Sequence, residues 1–208
     1  MTAVRVGPVQ IHPYKAMIYL GCVAGVYSGA AVAVHDGLDG ARFALAVIAL
    51  LVPAFAGSRA LYVVRHRVEF AGRPGRVIDR RDGGSALFGG LVLSIAVSVP
   101  LLAAAGLPFG RFWDAASVTM LVGLVFTRLG CLMNGCCGGR PTEGPIAMAL
   151  PDVHGVVRRR IPTQLIEAGW GVAVLLATLP VQWPAGGRGA FVVLSYSGAR
   201  LATRSWRE

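Results

Sequence analysis

The chain has 208 residues, 55% of them hydrophobic and 14% charged, with a mean hydropathy of +0.62. A soluble domain carries nearer a quarter charged residues, so the composition excludes a water-soluble globular protein and predicts an integral membrane protein. The net charge of +10 sits between apolar runs, which fits anionic lipid headgroups and not nucleic acid.

Residues 1–15 precede the first uncharged run, 17–34, which is long enough to cross a bilayer. Leu20-Gly21-Cys22 faintly resembles a lipoprotein cleavage site, but the apolar run continues past Cys22 and is expected to be a retained helix. The second run, 43–58, extends to Val64 and meets an arginine-rich connection, 65–82, with a Gly72-Arg73-Pro74-Gly75 turn. The third helix is expected over 85–107, with Gly89-Gly90 near its start and a kink at Pro100. The fourth covers 115–133. A polar segment, 134–160, follows, in which 148–151 is either a short strand or an interfacial element. The fifth and sixth helices are expected over 164–183 and 189–204; the uncharged core of the last, 189–199, is too short to span alone. No internal repeat or second domain is visible. The expected fold is all-α, a single polytopic membrane bundle of about six transmembrane helices.

The chemistry concentrates in residues 126–142. Arg128 interrupts an apolar run, and Gly130, Cys131, Asn134, Gly135, Cys136, Cys137, Gly138 and Gly139 follow before Pro141 stops any helix. An arginine at the deep end of such a run is costly unless something anionic or polar meets it. Glycine-rich backbone at that depth lines a cavity or is buried in protein. The pattern predicts either a polar chamber that admits an anion or an arginine snorkelling to the headgroups. The cysteines Cys131, Cys136 and Cys137 could ligate metal or form a redox pair. Their spacing is not that of a zinc site, and His154 is the spare histidine nearby. Close packing of small, soft side chains is the expected role, with no metal bound. A disulfide from Cys131 to Cys136 or Cys137 is the alternative in an oxidising compartment.

Five motifs occur in one order: residues 57–64 around Arg59, Asp82-Gly83-Gly84 with Gly89-Gly90, residues 127–140, Pro162-Thr163-Gln164-Leu165-Ile166-Glu167, and Tyr196-Ser197-Gly198-Ala199-Arg200. With Tyr14 before the first helix, this ordered set resembles the bacterial prolipoprotein diacylglyceryl transferase family. The resemblance implies a multi-pass enzyme of the bacterial inner membrane. Such an enzyme moves the diacylglyceryl group of phosphatidylglycerol onto a lipobox cysteine thiol of a secreted precursor. No metal or organic cofactor is implied.

Matched residue by residue, Arg128 is similar to the arginine that meets the lipid phosphate, where a guanidinium fork neutralises the departing charge. Arg200 resembles a second essential arginine, one turn beyond Tyr196 on the same helix face. Asn134, Gly139, Tyr14 and Arg59 fall on substrate-binding positions. Gln164 and Glu167 share a face and either orient the arginines or cap their helix together with Thr163. The chain departs from the pattern at Phe88, where the family keeps the histidine expected as general base, and at Ile161, Ile166 and Arg204. Glu167 is the best substitute base. The alternative is a non-catalytic relative that binds anionic phospholipid. Orientation is contested. With both termini inside, sixteen basic residues face the cytoplasm against Arg42, Arg111 and Arg188 outside. The resemblance puts the N-terminus outside.

Overall fold

The computed structural model describes residues 4–6, 9–70, 87–152 and 155–206. The Gly72–Gly75 turn, Asp82-Gly83-Gly84 and His154 lie outside these residues. The described chain runs β1 (Val4–Val6), β2 (Val9–Ile11), α1 (Pro13–His35), α2 (Gly40–Arg65), α3 (Arg67–Phe70), α4 (Leu87–Ala105), α5 (Phe109–Met133), β3 (Met148–Pro151), β4 (Val157–Arg160), α6 (Thr163–Thr178) and α7 (Gly187–Ala202). A 3₁₀ turn, Arg204–Trp206, follows.

The all-α membrane bundle holds, with four helices, α1, α2, α4 and α5, long and apolar enough to cross a bilayer. Their exposed faces carry large apolar side chains, as lipid-facing surfaces do: Tyr19, Val23 and Tyr27 repeat every fourth residue along α1. α6 and α7 are shorter, with 16 residues each. α6 stops at Thr178, five residues before the expected end; Leu179 still has helical dihedrals and bonds the Leu175 carbonyl, but Pro180 has no N–H with which to continue the ladder. The 148–151 stretch is a strand, paired antiparallel with β4. The β1–β2 hairpin carried no sequence expectation.

Backbone contacts divide the chain into two compact units. One contains Met1–Asp36 with Gly110–Glu208, the other Gly37–Phe109. In the first, α1 packs on α5 through a glycine face. A Cβ on Gly21 would stand 2.7 Å from Phe126 Cβ, and one on Gly25 would stand 2.8 Å from the Thr119 carbonyl oxygen. Lipid is as apolar as leucine, so helices gain little from hiding oil and associate by such close approach instead. Leu121, Val174 and Val192 then join α5, α6 and α7 in one buried junction.

α5 begins six residues earlier than expected, although this adds Arg111 and Asp114 to an apolar helix. The reason is a long-range cap. Asp114 is 1% exposed, and its carboxylate accepts the backbone N–H groups of Gly186 (2.7 Å) and Gly189 (2.9 Å). These are donors that the first turn of α7 leaves without helical partners, and the negative charge also suits the positive end of that helix. A lone buried aspartate would be prohibitive; this one is fully engaged.

In the second unit α2 lies against α4. A Cβ on Gly57 would collide with the Gly89 carbonyl oxygen and one on Gly89 with that of Gly57, so both positions require glycine. Ser94 and Ser98 are its buried polar residues among those described, and the Ser98 hydroxyl donates to Ile95 one turn back. α4 continues through Pro100 and closes on left-handed Gly106, with the Leu107 N–H returning to the Leu102 carbonyl.

Candidate functional site

α5 ends on Gly135, whose φ is +68°. The Cys136 N–H bonds back to the Cys131 carbonyl at 3.0 Å, the six-to-one bond of a Schellman turn. The carbonyls of Pro151 and Asp152 crowd Gly135 where a Cβ would stand, at 2.8 and 2.7 Å, so glycine is needed there for space as well as conformation.

The loop that follows is fastened on three sides. Gly139 N–H bonds the Ile161 carbonyl and Arg140 N–H that of Trp206, while Thr142 N–H reaches Arg159 in β4. From α6, the Thr163 hydroxyl donates to the Cys137 carbonyl (2.9 Å) and the Gln164 amide to that of Cys136 (2.8 Å). The capping reading of Gln164 and Glu167, with Thr163, does not hold. The cap position of α6 is Pro162, which provides no side-chain bond, and the Thr163 and Gln164 side chains instead satisfy loop carbonyls.

This framework sets a charged cluster between α5, α6 and α7. Glu167, 5% exposed, lies with Oε2 at 2.7 Å from Arg128 Nε and with both oxygens 3.4–3.5 Å from Arg200 Nη1. The Arg128 approach is a charge contact, because the Nε–H does not point along it. Arg128 Nη2 donates to the Tyr196 hydroxyl at 3.4 Å. Two arginines thus share one carboxylate, which leaves the pair with net positive charge. Gln164 is 3% exposed, and among the described residues nothing donates to its Oε1. Beside the cluster an apolar groove of about 590 Å³ runs between α6 and α7, lined by Ile166, Trp170, Ala173, Leu194 and Ala202, with Glu167 at its wall. The site combines a cationic patch, an open hydrogen-bond acceptor and an oily channel.

The structure brings Arg128, Glu167, Tyr196 and Arg200 together, while Gln164, one turn before Glu167 on α6, turns its amide to the Cys136 carbonyl. Asn134 is half-buried one residue beyond α5, and its N–H bonds the Gly130 carbonyl. Tyr14 lies inside the first turn of α1 and packs over Gly130, its Cδ2 3.4 Å from where a Cβ would be. Gly139 is pressed between Ile161 and Trp206, both under 3 Å from a Cβ there, so it serves the packing of the loop. Arg59 belongs to the second unit, where its guanidinium lies over the rings of Tyr62 (5.5 Å) and Phe70 (5.4 Å). Phe88, also in that unit, opens α4 with 71% of its surface exposed.

Two features escaped the sequence reading. One is the Asp114 cap. The other is the buried pair Asp36–Arg188, at 2.8 Å with side chains 8% and 7% exposed. Burial alone would raise the Asp36 carboxyl, but hydrogen bonds from Arg188 and His35 hold it below the usual aspartate range. No local spacing signals either feature, since the partners are 72 to 152 residues apart.

Residues 1–208 match the sequence pattern of a family described as prolipoprotein diacylglyceryl transferase. A phosphatidylglycerol–prolipoprotein diacylglyceryl transferase of Shouchella clausii is 28% identical over 216 aligned residues, covering 98% of this chain and 77% of that protein. One of Bacillus velezensis is 27% identical over 217, covering 99% and 79%. One of Rhodopirellula baltica is 31% identical over 150, covering 69% and 30%. A match along the whole chain, on a multi-helix membrane bundle, is decisive: the chain belongs to the prolipoprotein diacylglyceryl transferase family.

Proposed function

We propose that this chain transfers the diacylglyceryl group of phosphatidylglycerol to the lipobox cysteine thiol of a secreted precursor, in the bacterial cytoplasmic membrane. The observation that carries the reading is Glu167 shared by Arg128 and Arg200 beside an apolar groove. The two guanidinium groups receive the lipid phosphate, and an acyl chain takes the groove. The acceptor Gln164 Oε1 suits a hydroxyl of the glycerol headgroup. In the reaction the precursor's sulfur forms a C–S bond to the terminal glycerol carbon of the diacylglyceryl group. The C–O bond to phosphate breaks, and glycerol phosphate leaves with the bonding electrons. The arginines neutralise that departing charge, where preorganised donors have their largest effect.

Glu167 acts here as a positioning residue, because its two oxygens are already engaged by the arginines. With phenylalanine at position 88, the attacking species is the few per cent of acceptor thiol already ionised near pH 7, its proton having gone to solvent. Loss of a positioned general base typically costs about 10²–10⁴-fold. Phe88→His is therefore expected to raise the rate at least about tenfold. The second reading, a relative that holds anionic phospholipid without transferring it, draws on that same Phe88.

Complementation of a strain depleted of its own transferase separates the two, with lipidation of a model precursor read by mass shift. Transfer by the wild type establishes the enzyme. Phosphatidylglycerol binding without transfer, in both wild type and Phe88→His, establishes the binder. The site side of the bundle is proposed to face outward, where secreted precursors arrive. A cysteine replacing exposed Arg158, in a background without the native cysteines, should then be labelled in intact cells. Labelling only after permeabilisation of the inner membrane would place the loop in the cytoplasm.

A further inference from the structure

Cys131, Cys136 and Cys137 were expected only to pack, and the proposed transfer reaction uses none of them. All three are free thiols, and their sulfur atoms lie within 4.8 Å of one another. Part of this proximity has a local cause. A Schellman turn ordinarily sets its C″ residue against C3, and these are Cys136 and Cys131. That motif does not ask for Cys137. Yet Cys137 holds φ at +59°, the one non-glycine residue with positive φ among those described. A left-handed cysteine costs on the order of 1 kcal/mol or more and persists only where the surroundings fix it. Here the fixing is visible: the Cys137 carbonyl accepts from Thr163 and that of Cys136 from Gln164. The strained backbone carries the third sulfur to the other two.

We propose that Cys131, Cys136 and Cys137 form a three-thiolate site for a soft d¹⁰ cation, of the Zn²⁺ or Cu⁺ class. A trigonal ion with metal–sulfur bonds of about 2.3 Å needs sulfurs about 4 Å apart, a spacing reached from the present one by small rotations about Cα–Cβ. Thiolates select such ions over hard ones. Binding breaks three S–H bonds, forms three metal–sulfur bonds and releases three protons to solvent, with no change of oxidation state. The site has one buried ligand, Cys131, and one exposed, Cys137, so an ion enters from the outer side and ends in a protected position. Cys131 follows Arg128 by three residues on the same helix face. The thiolate complex of a divalent ion carries one net negative charge, which the guanidinium neighbour offsets.

The test uses the whole chain in detergent, fully reduced, with Cys22→Ala removing the remaining thiol, and Cd²⁺ as the probe. One Cd²⁺ per chain is expected, with a sulfur-to-cadmium charge-transfer band in the ultraviolet. That band should weaken in proportion to the sulfurs left in Cys136→Ser and Cys137→Ser. Circular dichroism checks their fold, and the exposed Cys137 position makes that variant the safer of the two. Zn²⁺ or Cu⁺ should displace the cadmium, and the one acting at the lower concentration identifies the ion class. Absence of stoichiometric binding, or an undiminished band in the folded Cys137→Ser protein, overturns the proposal. The readout does not involve lipid transfer, so it stands or falls apart from the enzymatic reading.

Discussion

The two units solve helix association in different ways. Gly37–Phe109 holds α2 to α4 by backbone approach at Gly57 and Gly89, and its buried polar groups among the described residues are the serine hydroxyls of Ser94 and Ser98. Met1–Asp36 with Gly110–Glu208 also uses glycines, at Gly21 and Gly25, yet it buries Asp114, Arg160, Glu167 and Arg188 as well. Burying ions costs several kcal/mol each unless they are paired and hydrogen-bonded, so the first unit holds charges that stability alone does not require. A frame with charges set into it is what a reaction on an anion needs. A glycine-faced helix pair needs only to stay together.

That contrast can be broken most severely at Arg188. Arg188→Met leaves Asp36 buried without its partner and should lower stability by about 3–5 kcal/mol, read as a shifted thermal or denaturant midpoint. Adding Asp36→Asn should recover part of the loss. The pH dependence has a defined sign. The folded Asp36 carboxyl is held low, so its contribution is complete above about pH 4 and is lost as pH falls through the depressed value. Arg188→Met should remove that acid sensitivity. An unchanged acid midpoint would mean that the pair does not stabilise the fold.

Next in size is Arg128→Lys. Lysine keeps the charge beside Glu167 and loses the fork, so transfer should fall about 10²–10³-fold while the melting temperature barely moves. Equal phosphatidylglycerol affinity in wild type and variant would reduce Arg128 to a membrane anchor. Gly57→Val inverts the pattern. It should cost about 1–3 kcal/mol by overpacking α2 against α4, with lipid affinity per folded molecule retained. The smallest effect is expected from Cys131→Ser, Cys136→Ser, Cys137→Ala combined. Fold and lipid binding should persist within about 1 kcal/mol, since packing of three small side chains is all that the metal-free protein loses.

The helices were legible because lipid demands long apolar runs. The cluster was legible because Arg128, Glu167, Tyr196 and Arg200 fall in motifs that resemble the family's, with Gln164 and Glu167, and Tyr196 and Arg200, each sharing a helix face. What stayed hidden was the destination of polar groups. Thr163 and Gln164 looked like caps, but a capping side chain and one that serves a distant carbonyl are identical in sequence; the loop at Cys136 and Cys137 decided between them. Asp114 drew no expectation, because its two partners lie more than seventy residues away. Glu167 carried two expectations, orienting the arginines or standing in as base, and sequence could not say that both arginines would lie on it.

The Asp114 cap reaches further than its own end of the helix. α5 and α7 are joined near their starts by Asp114 to Gly186 and Gly189 and again further along by Arg128 to Tyr196. A rod clamped at two heights cannot spin about its long axis. The azimuth of Arg200, one turn past Tyr196, is thereby set in part from the first turn of α7. Deleting or inserting a single residue between Gly189 and Tyr196 would turn everything beyond it by about 100° while shifting it only about 1.5 Å. The length of α7 is in that sense a coded angle.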